Sequence, residues 1–289
     1  IASPAVCINR TYRRYNYGFG FNSSLPSQIA KIFINRMNTP ESTAVIELCY
    51  GKSEDAHWMN LLSYSKDGNI QAMFDEYAHI ISNGIDKDEN AVKRLHYAIA
   101  DSMSIRTTPY GIDTRNAFIT RARGGKARPV NIRTHFAVAF TKGDGSSDKA
   151  TDRKKIVRNA FNSPFRPFVL ASTSIGQEGL DLHNYCRKIV HWNLPSNPID
   201  LEQREGRINR FECLAIRQNI AERYGDAEFN NDIWDEMFDN AVKDTKAHNQ
   251  HSSDLIPFWG LPETEDMVKI ERIVPMYPFS KDCAAYERM

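Results

Sequence analysis

Between residues 27 and 83 apolar side chains recur at helical spacing. Ile29, Ile32, Phe33 and Met37 stand at i, i+3, i+4 and i+8, one stripe along a helix. Leu61 and Leu62, then Ile70, Met73, Phe74 and Tyr77, continue the stripe across a Lys66-Asp67-Gly68-Asn69 turn. Residues 88–103 read as a further helix, opened by an acidic stretch that suits a helix amino terminus. Ahead of this helical region, residues 2–8 read as a short strand. Residues 16–26, rich in Gly, Asn, Ser and aromatics, read as loop.

From residue 111 the pattern changes. Residues 111–129 are polar, basic and glycine-bearing, which predicts a connector. Residues 131–140 alternate, with Ile132, Phe136, Val138 and Phe140 on one side, and read as a strand. A glycine-bearing turn over 141–152 leads to a helix over 154–161 whose apolar face is Ile156, Val157 and Phe161. Val169, Leu170 and Ala171 form an apolar run of the kind expected of a buried parallel strand. Gly176 and Gly179 then let the backbone turn. Ile189 and Val190 make a second strand, and Pro198 opens the helix that follows. Helices over 213–224 and 233–242 precede an irregular tail, 245–289, with a strand at 268–274.

Composition narrows the picture. The chain of 289 residues is long enough for one large or two small domains. It starts at Ile1 rather than Met, the expectation being a fragment. Lys and Arg total 37 against 36 Asp and Glu, which argues against a nucleic-acid binder that works through bulk charge. The five cysteines (Cys7, Cys49, Cys186, Cys213, Cys283) contain no C-x-x-C and suit a reducing compartment. No apolar run approaches the roughly 18 residues of a membrane span, and no signal peptide opens the chain. A soluble, cytoplasmic protein is expected.

The densest chemistry lies between residues 168 and 211. Gln203, Arg207 and Arg210 are spaced at i, i+4 and i+7, which on a continuous helix aims all three to one side, with Arg204 beside them. Guanidinium groups stay charged and bind phosphate oxygens bidentately. Glu202, Glu205 and Glu212 offer a blander alternative, pairing with these arginines on a solvated surface. Two stretches resemble known motifs. STSIGQEGLDL (172–182) resembles motif V of superfamily 2 helicases and translocases, and QREGRINR (203–210) resembles their motif VI, Q-x-x-G-R-x-x-R. RTHFAVAF, AFNSPFRPFVLASTS and VHWNLPSNPIDLEQREGR extend the likeness over 133–224, to large bacterial DEAD/DEAH-type helicases.

The resemblance implies an α/β fold, a RecA-like parallel-sheet lobe over 129–225, with a mostly helical accessory or insertion region over 1–128 and a helical and irregular extension over 226–289. It implies an ATP-hydrolysing DNA helicase or translocase in which this chain is the second motor lobe. Arg207 and Arg210 take the role of arginine fingers. Gln203, Arg204, Gly179 and Asp181 fall near the nucleotide, and Thr173 and Ser174 at the nucleic-acid backbone. ATP would bind with Mg2+ whose ligands, like the phosphate loop, sit on an amino-terminal RecA-like lobe absent from this sequence. The isolated chain is therefore expected to be inactive. The partners implied are nucleic acid, DNA in preference to RNA, and that first lobe, with no membrane. The rival reading is a degenerate lobe serving as a nucleic-acid- or protein-binding module.

Other constellations imitate chemistry. IELCYGKS (46–53) ends like a phosphate loop, but Ile46 stands where G-x-x-x-x-G-K-[ST] needs its first glycine. Asp75-Glu76-Tyr77-Ala78-His79 imitates a DExxH box, yet it sits in a helical pattern and is expected to be ordinary helix surface. RARGGKAR (121–128) reads as a solvated basic connector, with a backbone phosphate contact as the alternative. His183, Cys186 and His191 match no common zinc spacing.

Overall fold

A computed structural model describes residues 3–51, 57–105, 108–112, 114–127, 130–134, 148–165, 167–172, 181–195, 197–248, 253–262 and 266–275. Six helices come first: α1 (Pro4–Arg14), α2 (Ser24–Met37), α3 (Pro40–Tyr50), α4 (His57–Lys66), α5 (Asn69–Ser82) and α6 (Ala91–Met103). The expected strand over 2–8 is instead part of α1. Pro4 starts that helix, and its fixed φ is pre-set for a first helical turn. Cys7, Ile8, Thr11 and Tyr12 then face inward at helical spacing, a period that a seven-residue window was too short to reveal. The turn over 66–69 forms as expected. Gly68 has φ +83° there, a conformation that only glycine adopts without cost.

Ile8, Tyr12, Ile29, Phe33, Ile70, Phe74, Leu95 and Ile99, from α1, α2, α5 and α6, are all buried in one cluster. Burial of each large side chain contributes about 1.5–3 kcal/mol, so this cluster holds the helical region together. Phe165 and Tyr185, far along the chain, join it. Phe165 meets Phe33, Phe74 and Tyr77 at ring separations of 6.5, 6.1 and 5.7 Å.

The middle of the chain departs from expectation. β1 (Thr108–Ile112) pairs antiparallel with β2 (Val130–Thr134), in register Thr108↔Thr134 to Ile112↔Val130. Between them lies α7 (Arg115–Ala122), where a featureless connector was expected. Thr114 supplies the missing signal, capping the helix by accepting from the Ala117 N–H at 3.2 Å. β2 carries the start of the expected 131–140 strand; residues 135–140 lie outside the described residues. α8 (Asp148–Phe161) buries Val157 and Phe161 as predicted, whereas Ile156, expected on the same face, is 37% exposed.

The apolar run at 169–171 is not a strand. It makes no ladder among the described residues, and Val169 is 84% exposed. An apolar run becomes a buried strand only if another strand accepts its backbone bonds. The partner of β3 (Lys188–Val190) is β4 (Glu271–Ile273), parallel to it. The expected strand in the tail is thus present. Asn219 on α10 (Leu214–Tyr224) helps place it, donating to the Val268 carbonyl at 2.9 Å and accepting from the Val268 N–H at 2.8 Å. α10 and α11 (Ile233–His248) enclose a second cluster with Ile220, Trp234, Phe238 and Phe258. Among the described residues the chain is mostly helical, with these two two-stranded sheets. No described helix is long and apolar enough to cross a membrane.

Candidate nucleotide and nucleic-acid site

α9 (Pro198–Glu205) begins as the sequence predicts. Pro198 sits in its first turn and Asn197 caps it, accepting from the Ile199 N–H at 3.1 Å. It ends earlier than expected, at Glu205, with Gly206 as the cap. Glycine costs about 1 kcal/mol in a helix interior, and the chain leaves α9 through short i→i−3 bonds such as Ile208 N–H to Glu205 O at 3.0 Å. Arg207 and Arg210 therefore lie in the turn beyond the helix. The i, i+4, i+7 face does not exist past Glu205. Arg210 closes the turn through its own side chain, Nε donating to the freed Gly206 carbonyl at 2.8 Å.

The turn meets the stretch from Asp181 to Arg187. Leu182 N–H donates to Arg207 O and Leu214 N–H to His183 O, both at 3.0 Å. An Arg210 nitrogen lies 3.3 Å from Asp181 Oδ1. That ion pair is half exposed, so its own worth is about 0–1 kcal/mol; the backbone bonds and buried Ile208 and Cys213 hold the juncture. Asp181 and Arg210, 29 positions apart in sequence by their numbers, are thus brought together. Arg204, on the last turn of α9, donates to the Asn193 carbonyl at 2.8 Å, and Gln203 is exposed. Thr173, Ser174 and Gly179 lie outside the described residues.

Glu205 does not pair with these arginines on the surface. It is buried against His191, with Nε2 3.4 Å from Oε1, and against Arg272 of β4 at 2.7 Å. It ties the end of α9 to β4 and to the residue that follows β3. His183, Cys186 and His191 form no metal-binding group among the described residues.

Residues 131–212 match the family model of the helicase conserved C-terminal domain, a match consistent with the carboxy-terminal lobe of a superfamily 2 helicase. Domains of this kind are found in ATP-dependent helicases, which use ATP and Mg2+ and bind nucleic acid. No curated protein and no solved structure matches the chain. The matched segment ends two residues past Arg210, so it takes in both juxtaposed stretches.

The DExxH look-alike is not helix surface. Asp75 is buried, accepting from Thr11 at 2.7 Å and Gln71 at 2.9 Å and pairing with Arg14. Glu76 receives the Nε of Arg217, on α10, at 2.9 Å. His79 is also buried, 3.3 Å from Asp232 and 3.6 Å from Asp235 through Nδ1, with Glu212 3.8 Å from Nε2. Burial alone would favour the neutral imidazole, but Asp232 and Glu212 outweigh it and raise the His79 pKa to about 9. Asp75 and His79 stand at i, i+4 beside the Phe74–Ala78 stripe, the one sequence signal for their burial. Lys52, the other half of the phosphate-loop imitation, lies outside the described residues.

Proposed function

We propose that this chain is the second motor lobe of an ATP-driven superfamily 2 helicase or translocase acting on DNA, with a RecA-like lobe over 129–225 flanked by helical regions at 1–128 and 226–289. The observation that carries the reading is the juncture of Asp181–Leu182 with Arg207–Arg210 inside the segment that matches the helicase domain. What supports the reading is the half-exposed Arg210 guanidinium beside the Asp181 carboxylate, because a polyphosphate can exchange with a carboxylate as an arginine's partner. Arg207 and Arg210 stabilise the charge that spreads over the γ-phosphate during transfer. Gln203, Arg204, Gly179 and Asp181 line the nucleotide, while Thr173 and Ser174 hold the nucleic-acid backbone. ATP and Mg2+ sit between this lobe and a first lobe of the same protein, which carries the phosphate loop and the metal carboxylate.

Two experiments test this. In the full-length protein, Thr173→Ala should weaken nucleic-acid binding and lower stimulated ATPase, leaving basal ATPase nearly untouched. The loss should be alike for any base sequence, because backbone contacts carry no sequence information. A hydroxyl that only caps local backbone predicts instead about 1 kcal/mol of lost stability with normal stimulation; that result would remove Thr173 from the site. The 289-residue chain by itself should show no ATPase, with or without Lys52→Ala. Turnover that disappears with Lys52 would replace the two-lobe reading by a self-contained enzyme.

A further inference from the structure

We propose that His79, Asp232 and Asp235 form a binding site for a first-row divalent cation of the Zn2+ or Mn2+ class, joining α5 to the start of α11, independently of the motor chemistry. These three residues offer donor atoms that all lie within 4.8 Å of one another. His79 Nδ1 stands 3.3 Å from Asp232 Oδ1 and 3.6 Å from Asp235 Oδ1. A charged hydrogen bond closes to about 2.7–2.9 Å. Donors held tetrahedrally by one ion at about 2.1 Å stand about 3.4 Å apart, close to the two spacings between His79 Nδ1 and the carboxylates.

The surroundings fit the same reading. His79 is only 3% exposed, and its Nε2 has no hydrogen-bond partner. That nitrogen faces Glu212 at 3.8 Å, as a metal-bound histidine turns its second ring nitrogen toward a carboxylate. Tyr15 donates to Asp232 Oδ2, while Oδ1 accepts the Trp234 and Asp235 N–H groups at 2.9 and 3.2 Å, so the carboxylate cannot swing away. The Asp235 side chain is 70% exposed, which opens an entry path and leaves a position for water. One imidazole with two carboxylates suits zinc or manganese; Mg2+ prefers oxygen ligands and keeps its waters.

The test is a titration of the metal-stripped 289-residue chain with Zn2+ and with Co2+, read by calorimetry, visible absorption and melting temperature. Binding of one equivalent, with a rise in melting temperature that grows with free metal, is expected. Asp235→Asn alters an exposed side chain and should fold normally by circular dichroism while losing the binding. Glu212→Gln should bind about 10- to 100-fold more weakly. The inference is overturned if Zn2+ produces no heat and no shift, the outcome for a plain His–carboxylate ion pair. It is equally overturned if Asp235→Asn binds like the parent, or if Co2+ gives thiolate bands that place the metal on cysteine. None of these outcomes depends on ATPase activity, so the motor assignment stands or falls separately.

Discussion

Arg207→Ala or Arg210→Ala, made in the full-length motor, should abolish nucleic-acid-stimulated ATPase while leaving ATP binding largely intact. An arginine finger is worth about 10³–10⁵ in rate, or roughly 4–7 kcal/mol of barrier. Groups that act mainly in the transition state show their loss in kcat. Arg210 is half exposed and engaged by Asp181 at 3.3 Å. A bond of that sort is worth so little that its removal cannot mimic the loss by unfolding the lobe. A melting temperature near that of the parent should therefore accompany the loss of turnover in Arg210→Ala. The Arg207 Nε and Nη1 are buried, so for Arg207→Ala melting is measured beside turnover to separate a structural loss from a catalytic one. If both variants keep more than about a tenth of wild-type turnover, these arginines are not fingers, and the binding-module alternative takes their place. The location of the two residues in a turn sharpens the test. On the proposed two-lobe reading, a turn can re-aim a side chain as the lobes close, whereas a helix face would hold its direction.

The largest structural effect should come from Arg217. Among the described residues it is the bulkiest fully buried side chain, 1% exposed. Its Nε donates to Glu76 of α5 at 2.9 Å, Nη1 to the Glu212 carbonyl at 2.6 Å and Nη2 to the Asn184 carbonyl. Its guanidinium also lies 5.5 Å from the centre of the Tyr185 ring. One side chain thereby ties α5, the 181–187 stretch and the segment leading into α10 together. Arg217→Ala would leave a carboxylate and two carbonyls without their donor, for a loss of about 3–5 kcal/mol. Arg217→Lys should recover little, because a point charge cannot satisfy three acceptors set out for a fork. Arg223→Ala, on an exposed position of the same helix, should change stability by less than about 0.5 kcal/mol. Chemical denaturation of the three variants checks this. A loss under about 1 kcal/mol for Arg217→Ala would mean that the guanidinium does not hold these elements together.

Legibility followed the range of the interactions. The helices from α2 to α6, with α8, α10 and α11, were readable because an apolar stripe at helical spacing is a local property. So was the Gly68 turn, where one residue has the conformational freedom required. The stretches resembling motifs V and VI were readable for a related reason: each is a short run of residue types that can be compared without knowing the fold. Asp181 and Arg210, named from those runs, do meet in space. The start of α1 was misread because a proline and one turn of apolar residues suit either a strand end or a helix start.

What the sequence alone determined is the type of most elements, the helicase-like stretches at 172–182 and 203–210 and the residues to test. What only the tertiary structure decided is which groups become partners. A guanidinium looks alike in sequence whether it ends up buried, like Arg217, or half exposed, like Arg210. A strand-like run such as 169–171 is buried only where another strand accepts it, and β3 takes β4, some eighty residues downstream, instead. His79 gained carboxylate neighbours because α11 packs against α5, a contact that no local pattern encodes. Burial and charge pairing are sums over neighbours distant in sequence, and they exist only once the chain has closed on itself.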